Sequence, residues 1–421
     1  MSLVSRPYYL DFLRRHKDRP IIKVVSGIRR CGKSTLFKLF QDELLADNVT
    51  AEQIIDINFE LMEYDKLRDY RALYEYINER IIPSKKMYLF LDEIQHVPSF
   101  ERVVDNFFVQ DNVDIYITGS NAYFMSSDMA TLLTGRYVQI EMLPLSYKEY
   151  VDAYSESGLS RMVLYEKYVS EGSFPGLLHM SENWQGRQDY LQGLFNTVVL
   201  KDIVDRLKIA DIKLLESIVR YIFANIGSLI NPTKIANSLT SAGRKVDNKT
   251  VERYLRGLED SLLLYNTERF DVRGKELLRL RPKYYVVDMA FKQLLLPDIN
   301  RDRGHVLENV VYLELRRRGY TVYVGQLTKG EIDFVAQKPG GILEYYQVSE
   351  SVLNPTTRDR ELAPLQLAIL ERAAMTVKEK GYLIYSTCTL NYKENEEVVE
   401  SFLQKHKEFS IIPVADDFPL K

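Results

Sequence analysis

The chain has 421 residues, of which 46% are hydrophobic and 27% are charged, and its formal net charge is −3. This length predicts two to four domains, and the small net charge excludes a general electrostatic preference of the whole molecule for nucleic acid. Its apolar runs fall far short of the roughly 18–20 residues of a membrane span and none follows a basic N-terminus, so we expect a cytoplasmic protein without membrane segment or signal peptide.

Strand-length runs of β-branched and aromatic residues alternate with helical patterns through about residue 145. The predicted strands are Lys23–Ser26, Ile54–Phe59, Met87–Asp92 and Asp114–Thr118, and the helical stretches between them include Ser34–Leu45 and Leu67–Ile81. Such alternation is typical of an α/β fold, in which helices cover both faces of a parallel sheet. We therefore predict an α/β core over residues 1–145.

The segment after the first predicted strand fits the phosphate-loop pattern G-x-x-x-x-G-K-[ST]. Glycines let the backbone curl so that its N–H groups, and the positive end of the following helix, face phosphate oxygens. In this pattern the lysine, Lys33, contacts the β- and γ-phosphates of ATP and the serine, Ser34, contacts Mg²⁺. A glycine turn followed by a surface lysine is the alternative. The predicted nucleotide-binding residues are Gly27, Ile28, Arg29, Arg30, Cys31, Gly32, Lys33, Ser34 and Thr35.

Two carboxylates follow the apolar part of the third predicted strand, in the run Met87-Tyr-Leu-Phe-Leu91-Asp92-Glu93. At the carboxyl edge of the sheet, Asp92 is placed to hold Mg²⁺ and Glu93 to polarise the attacking water. An Asp-Glu pair alone is usually a solvated strand end. Because this pair follows a phosphate loop in the chain, hydrolysis of ATP becomes the favoured hypothesis.

The fourth predicted strand ends in small polar residues. Thr118, Ser120 or Asn121 is placed to sense the γ-phosphate, although a strand-to-helix turn with an asparagine cap fits the same residues equally well. Arg136 is the candidate catalytic arginine, with a plain surface arginine as the alternative. Cys31 is expected to pack inside the phosphate loop rather than to sense redox state.

With these residues the chain resembles the AAA-superfamily ATPases of bacteria and archaea that carry a C-terminal domain of unknown function. The resemblance implies an AAA-type fold, ATP with Mg²⁺, and the roles given above to Lys33, Ser34, Asp92 and Glu93. It does not imply a particular biological process. It reaches to about Pro364 and rests on the phosphate loop and on Phe90-Leu-Asp-Glu-Ile-Gln95, Leu143-Pro-Leu-Ser-Tyr147, Gly172-Ser-Phe-Pro175 and Lys201-Asp-Ile203.

Helical patterns dominate the next two segments. Residues 146–206 predict a small helical subdomain, interrupted at Gly172–Gly176. Residues 207–282 predict a winged helix-turn-helix, because three short helices precede strand-like runs. The signals are an apolar helix at Leu214–Ile226, a helix start at Asn231-Pro232, a capping residue at Asp247, and runs at Leu264–Arg269 and Lys283–Val287.

The third helix of that segment carries both an apolar stripe and a set of cations. A basic helix face can lie against DNA phosphates, whereas a helix used only for packing against protein has no need of one. Acidic residues share the helix, so both uses stay open. The stripe is Val251, Tyr254, Leu255, Leu258 and Leu262, the cations are Arg244, Lys245, Lys249, Arg253 and Arg256, and the acids are Glu252, Glu259 and Asp260.

Residues 283–363 resemble the PD-(D/E)xK nuclease core. Glu308 on a helix and Asp333 in Gly330-Glu-Ile-Asp-Phe334 fall in the matching order. That active site needs two carboxylates and a lysine around a metal, but Gln347 and Ser349 stand where the third polar ligand and the lysine belong. A glutamine is a poor Mg²⁺ ligand and a serine carries no charge. We therefore expect a degenerate nuclease domain without cleavage activity.

Residues 364–421 are similar to the C-terminal part of the Sun-like ribosomal-RNA cytosine-5 methyltransferases. In that family the cysteine of Ser-Thr-Cys388 attacks the cytosine ring, but the enzymes also need a methyl-donor pocket and a Pro-Cys motif. Cys31 is the other cysteine of this chain and lies in the phosphate loop, so we expect no catalysis by Cys388 and no disulfide framework. The segment is read as a fusion, by recombination, frameshift or assembly error, with a divergent natural ending as the alternative.

These features combine into one leading hypothesis. The chain is predicted to be a Mg²⁺-dependent ATPase whose nucleotide state moves the helical subdomain and the winged helix, with DNA as a candidate partner of the winged helix and no membrane partner. A nucleotide-gated binding module with little turnover is the first alternative, and a metal-dependent DNA nuclease is the disfavoured second. The sequence leaves the macromolecular partner, the oligomeric state and the process served open.

Overall fold

The computed structural model describes residues 4–120, 133, 135–180, 184–271, 276–296, 303–326, 331–348, 363–375, 377, 381, 383–385 and 396–412. The chain divides into two compact units. Unit 1 comprises Met1–Ile226, Pro232–Asn266 and Tyr284–Asn300, and unit 2 comprises Gly227–Asn231, Thr267–Lys283 and Arg301–Lys421. The finer domain boundaries at residues 145, 206, 282 and 363 stay predictions.

Unit 1 is built on a five-stranded sheet with the strand order β2-β3-β4-β1-β5. All of its pairings are parallel, which confirms the predicted parallel sheet. An edge strand, β5, was not predicted, because most of its residues are only half-buried and it lacks a continuous apolar run. The strands are β1 (Ile22–Gly27), β2 (Ile54–Asn58), β3 (Met87–Asp92), β4 (Val113–Ser120) and β5 (Tyr137–Met142).

Among the described residues up to Met142, four helices accompany this sheet. The predicted helix at Leu67–Ile81 begins later than expected, because the carboxylate of Asp69 accepts the backbone N–H groups of Arg71 and Ala72 and so caps the helix at Tyr70. Short 3₁₀ turns occur at Ala51–Gln53, Met62–Arg68 and Ile94–His96. The helices are α1 (Pro7–His16), α2 (Lys33–Ala46), α3 (Tyr70–Asn78) and α4 (Phe100–Phe108).

An aromatic cluster attaches α2 to the sheet. Phe37 and Phe40 of α2 pack against Phe90 of β3 and Tyr116 of β4, and the rings of Phe90 and Tyr116 stack at 4.7 Å between centroids. All four side chains are buried. Because large rings bury much apolar area in defined geometries, this cluster fixes how the first turn of α2 meets the carboxyl edge of the sheet.

The rest of unit 1 is mainly helical. Asp247 accepts the backbone N–H of Thr250 at 2.9 Å, and Pro232 begins a helix, as the sequence predicted for both. The winged helix-turn-helix itself stays a prediction. The helices are α5 (Tyr147–Ala153), α6 (Arg161–Glu171), α7 (Trp184–Asn196), a π-helical segment (Thr197–Val204), α8 (Asp205–Leu207), α9 (Ile212–Ala224), α10 (Pro232–Ser241), α11 (Asn248–Asp260) and α12 (Ala290–Leu295), with a 3₁₀ turn at Pro175–His179.

Unit 2 contains a second, mixed sheet with the strand order β10-β9-β8-β6-β7. Strand β6 pairs parallel with β8, whereas β8–β9 and β9–β10 are antiparallel. Within the described ranges, every helix of the chain is too short or too polar to span a bilayer. The elements are β6 (Leu264–Asp271), β7 (Glu276–Val286), α13 (Arg303–Arg317), β8 (Thr321–Gln326), β9 (Glu331–Gln337), β10 (Leu343–Tyr346), α14 (Ala363–Ala374) and α15 (Glu396–Lys405).

The last two helices form part of the core of unit 2. Ala373 of α14 belongs to a buried cluster with Ile332, Val335 and Tyr345 of the sheet. On its other side, α14 packs against Phe402 of α15 through Leu370 and Ala374. A small pocket of about 30 Å³ lies between α14 and the sheet.

A buried carboxylate organises the helical part of unit 1. Asp288 accepts the backbone N–H of Ser173 at 2.6 Å, the hydroxyl of Ser173 at 2.7 Å and the backbone N–H of Ala290 at 2.8 Å. Gly172, at φ 101°, brings the chain close enough for these contacts. The carboxylate therefore ties the bend after α6 to the start of α12.

Replacing Asp288 with alanine should lower the free energy of unfolding by about 2–4 kcal/mol, because it leaves three buried donors without an acceptor. Urea denaturation measures this change. Asp205→Ala, at an exposed position of α8, is the matched control and should change stability by less than about 0.5 kcal/mol. Equal effects of the two substitutions would contradict the role of Asp288.

Candidate functional site

The loop between β1 and α2 has the geometry of an anion cradle. β1 ends at Gly27, which lies in register with Ser120 of β4 and Met142 of β5, and α2 begins at Lys33. Between them Arg30 (φ 67°) and Gly32 (φ 105°) adopt left-handed conformations that curl the backbone. Such a curl at the N-terminus of a 14-residue helix presents backbone N–H groups and the positive end of the helix dipole.

Lys33 lies at the centre of the site. Its ammonium group is 3.2 Å from the carbonyl oxygen of Gly27 and 3.2 Å from Oε1 of Glu93, and the residue is only 4% exposed. Burial lowers the pKa of Lys33, but the nearby Glu93 carboxylate, with smaller contributions from Cys31 and Asp92, raises the pKa overall. Lys33 is thus a buried cation.

Asp92 ends β3 beside the phosphate loop. One carboxylate oxygen accepts the hydroxyl of Thr118, and the other accepts the side-chain amide of Asn58 at 2.9 Å. The hydroxyl of Ser34 lies near the same carboxylate. Burial raises the pKa of Asp92, while the nearby Ser34 and Thr118 hydroxyls oppose the rise. The structure thereby brings together Ser34 and Asp92, the two predicted Mg²⁺ ligands.

Glu93 follows directly in an unusual backbone conformation. Its φ of 55° turns the chain sharply after β3, and its backbone N–H donates to the Thr118 hydroxyl at 2.9 Å. The side chain accepts the Gln95 amide at 2.6 Å on Oε2 and faces Lys33 with Oε1. A left-handed glutamate is strained, and strain of this kind concentrates at functional sites. Asp92, Glu93 and Lys33 therefore form one cluster, joined by Thr118.

The remaining predicted loop residues divide into packing and surface positions. Ile28 and Cys31 are buried, and burial raises the pKa of the Cys31 thiol, in keeping with a packing role. Arg30 is exposed and Thr35 is half-buried. Arg29 pairs with Glu60 and lies 3.9 Å from Asp202 of the π-helical segment.

Arg136 is not brought to the phosphate loop. It lies just before Tyr137, the first residue of β5, whereas the loop follows the far end of the neighbouring strand β1, opposite Met142. Five strand steps separate the two ends, a distance of about 16 Å. The guanidinium is 47% exposed, lies over the ring of Phe108 and approaches Asp105 at 4.0 Å. Asn121 and the side chain of Ser120 lie outside the described residues.

Three residues of the site were not predicted. Asn58, at the end of β2, and Gln95 each donate an amide to one of the two carboxylates. Arg6, which precedes the first predicted strand in the chain, donates to the carbonyl of Cys31. Asn58 follows a predicted strand and could have been found by the same reasoning as Asp92, whereas no sequence signal marks Arg6.

Helix α11 has the two faces that the sequence predicted. Val251, Tyr254, Leu255 and Leu258 are buried. Asp260 pairs with Arg206 at 2.9 Å, and burial, followed by repulsion from Asp260, raises the pKa of Glu259 to about 7. Both effects reduce the negative charge on the helix. The exposed cations are Lys249, Arg253 and Arg256 on the helix, and Arg244 and Lys245 in the segment just before it.

In unit 2 the predicted nuclease-like residues lie close together around a lysine. Lys283 is 3.0 Å from Oε1 of Glu308 and 2.7 Å from Oε1 of Glu331, and it is buried. Burial, and then the nearby Glu308 charge, raise the pKa of Asp333 to about 7. Gln347 accepts the backbone N–H of Asp333 at 3.3 Å. Within the described ranges, no group of three or more His, Cys, Asp or Glu residues is arranged to hold a metal ion, and Ser349 and Cys388 lie outside those ranges.

Models of known protein families match three segments of the chain. A model described as an AAA domain matches residues 19–151, and a domain of unknown function (DUF8612) matches residues 162–300. An uncharacterised protein of Haemophilus influenzae is 40% identical over 351 residues, which are 83% of this chain and 87% of that protein. An uncharacterised protein of Methanocaldococcus jannaschii is 30% identical over 83% of this chain and 78% of its own length. This chain belongs to their family, and its residues 19–151 are an AAA domain.

Among solved structures, a Walker-type ATPase of Pyrococcus abyssi covers 70% of this AAA-family chain and 96% of its own, with 15% identity and a TM-score of 0.45. A TM-score below 0.5 adds no weight to the assignment.

The end of the chain matches a different family, as predicted. A model described as 16S rRNA methyltransferase RsmB/F matches residues 353–418. Ribosomal RNA small subunit methyltransferase B of Thermus thermophilus is 49% identical over 59 residues, which are 14% of this chain and only 15% of that enzyme. The AAA-family chain therefore carries a short methyltransferase-like segment and not a methyltransferase domain.

Gly27→Ala should destabilise the protein by about 1–3 kcal/mol, because a Cβ atom there would lie 2.3 Å from the backbone oxygen of Met142 and 2.9 Å from Sγ of Cys31. Gly186→Ala in α7 is the control, since its Cβ would meet nothing within 4 Å and an alanine favours the helix. Thermal and urea unfolding compare the two variants. A Gly27 variant as stable as the Gly186 variant would show that the loop can move away from β5.

Proposed function

We propose that this AAA-family chain binds ATP together with Mg²⁺ at the phosphate loop and hydrolyses the terminal phosphate bond. One observation carries the proposal: Lys33, Asp92 and Glu93 converge on the loop, with the Lys33 ammonium 3.2 Å from the Glu93 carboxylate. A cation for phosphate, a carboxylate for a metal ion and a carboxylate for water are the groups that phosphoryl transfer to water requires.

The residues at the loop fit both ATP and Mg²⁺. Gly27 lies too close to Met142 to carry a side chain, and the left-handed conformations of Arg30 and Gly32 curl the backbone between β1 and α2 as a phosphate-binding loop requires. Ser34 and Asp92, which lie near each other, offer two oxygen ligands of the kind that Mg²⁺ prefers. Bound there, Mg²⁺ would neutralise charge on the phosphate oxygens.

In this proposal Lys33 and Glu93 divide the chemistry. Lys33 binds the β- and γ-phosphates, and its charge is maintained because the Glu93 carboxylate raises its pKa. When a phosphate group also contacts the Lys33 ammonium, the Glu93 carboxylate can orient a water molecule. It can then accept a proton from this water as the water oxygen attacks the γ-phosphorus. Thr118 positions both carboxylates, since its hydroxyl donates to Asp92 and accepts from the Glu93 backbone.

The proposal extends to movement of the helical region. Arg29 of the phosphate loop faces Asp202 of the π-helical segment, and Ile203 and Leu207 just beyond it pack against Gly257 of α11 so closely that a Cβ there would lie 2.6 Å from Leu207. Nucleotide at the loop competes for Arg29 and can therefore shift α11. This path supports coupling between ATP and the basic helix, with duplex DNA as the proposed partner of that helix.

Lys33→Ala should abolish detectable ATP turnover, because the phosphates lose their central cation. Glu93→Gln should retain ATP binding while turnover falls by roughly 10²–10⁴-fold, as expected when a general base is removed. Equilibrium nucleotide binding and phosphate release measure the two effects on the full chain. Lys66→Ala, on an exposed 3₁₀ turn, is the control and should match the unsubstituted chain.

Unchanged turnover in the Lys33 variant would overturn the ATPase proposal. Tight ATP binding without turnover in the unsubstituted chain would instead favour a nucleotide-gated binding module. Cleavage of DNA in the presence of a divalent metal, lost in Asp333→Ala, would revive the nuclease alternative, which Gln347 at the third acidic position does not favour.

The double variant Arg253→Ala/Arg256→Ala should weaken binding to duplex DNA and reduce the slope of log affinity against log salt by about 2, because two phosphate contacts are lost. Fluorescence anisotropy at several salt concentrations measures both quantities. Identical slopes for the double variant and for Lys66→Ala would remove DNA from the proposal without affecting the ATPase assignment.

A further inference from the structure

Arg6 lies outside the segment that matches the AAA domain, yet its side chain is directed into the base of the phosphate loop. It precedes the first residue of α1 and is only 3% exposed. Burial of a guanidinium destabilises the fold unless its N–H donors have hydrogen-bond acceptors. The partners of Arg6 therefore indicate why this position holds an arginine.

The guanidinium spans three parts of unit 1. It contacts a side chain at the start of α5, the segment that follows β5, and the phosphate loop itself, and the ring of Tyr9 lies 4.8 Å from its Cζ. No lysine could reach these acceptors at once, because they require a planar fork of donors. The acceptors are Oε1 of Glu149 (2.8 Å) and the carbonyl oxygens of Leu143 (2.7 Å), Pro144 (3.4 Å) and Cys31 (3.2 Å).

The bond to Cys31 sets the orientation of a peptide group in the loop. A trans peptide is planar, and its C=O and N–H point in opposite directions. When Arg6 holds the carbonyl of Cys31, the N–H of Gly32 is directed away from Arg6. The flanking residues Arg30 and Gly32 both have left-handed φ angles, so the orientation of this peptide is not fixed by regular secondary structure. Arg6 supplies the missing constraint.

The other bonds of Arg6 tie the loop to the helical region. Glu149 also accepts the backbone N–H of Ser146 at 2.7 Å and its hydroxyl at 3.0 Å, which completes the cap of α5. Leu145, between Pro144 and Ser146, donates its N–H to the carbonyl of Ser173 at 2.9 Å. A displacement of Arg6 would therefore be felt at both the loop and the bend that Asp288 holds.

We infer that Arg6 is a positioning residue for nucleotide binding, which holds the Cys31–Gly32 peptide with its N–H turned toward the phosphates. The inference rests on the proposed ATP binding at the loop. It assigns to Arg6 no contact with nucleotide, so its effect is on binding geometry and not on the chemical step.

The test compares Arg6→Ala, Arg6→Lys and Glu149→Gln with Arg14→Ala. This control lies on α1, the helix that follows Arg6, and its side chain is half-exposed and pairs with Glu43. ATP and ADP affinity, turnover at saturating ATP and thermal stability are measured for each full-length variant. Arg6→Ala should lower the affinity for both ATP and ADP by about tenfold or more, because a charge-assisted hydrogen bond to the loop is lost. Turnover at saturating ATP should change by less than about threefold.

Arg6→Lys should weaken binding by an intermediate factor, and Glu149→Gln, which keeps an acceptor for the guanidinium, by less still. Arg14→Ala should bind as tightly as the unsubstituted chain. Glu93→Gln provides the opposite signature, with binding kept and turnover lost. If Arg6→Ala does not fold, Arg6→Lys decides the question, and an unchanged affinity in that variant overturns the inference.

A lower melting temperature without any change of nucleotide affinity in the folded Arg6 variants would also overturn the inference, since it would show a structural role only. Failure of the unsubstituted chain to bind ATP would overturn the proposed function and this inference together. Normal ATP binding in the unsubstituted chain with equal affinity in all Arg6 variants would overturn the positioning role alone.

Discussion

The ion pair between Lys33 and Glu93 joins two elements that the rest of unit 1 must hold in place. A buried pair is tolerated only where further hydrogen bonds satisfy both partners, and here the Gly27 carbonyl does so for Lys33 and the Gln95 amide for the Glu93 carboxylate. The position of the pair depends in turn on strand register, because Gly27 ends β1 and the Thr118 hydroxyl, which accepts the backbone N–H of Glu93, lies on β4. The aromatic cluster of Phe37, Phe40, Phe90 and Tyr116 then sets the distance between α2 and these strands. The site is thus a property of the whole sheet and not of the loop alone.

Sequence reasoning succeeded where one local signal decides the structure. The phosphate loop follows the apolar residues of β1, and Asp92 and Glu93 follow the apolar residues of β3. The two strands, and the edge of the sheet at which both motifs lie, could therefore be predicted. It failed where the deciding contact is distant in the chain: 25 residues separate Arg6 from Cys31, and the same number separates Lys283 from Glu308. Arg136 was misplaced for a different reason. Its position next to a glycine did not indicate whether it would lie at the end of β5 near the phosphate loop or at the opposite end.

The methyltransferase-like segment illustrates how little specificity a sheet demands of the helix that covers it. Hydrophobic burial is non-directional, so a helix of suitable spacing can cover Ile332 and Val335 whatever its origin. Close packing is more selective than burial, because it requires the side chains of helix and sheet to interdigitate.

The hydrogen bonds of Arg6 bear on where this chain can be truncated. Similarity to other AAA domains begins at residue 19, yet the side chain that braces the Cys31 carbonyl lies thirteen positions earlier. A fragment cut at the edge of the recognisable domain would keep every motif residue and lose this brace. At this end of the molecule, the segment that matches the AAA domain therefore begins later in the chain than the structure that supports the phosphate loop.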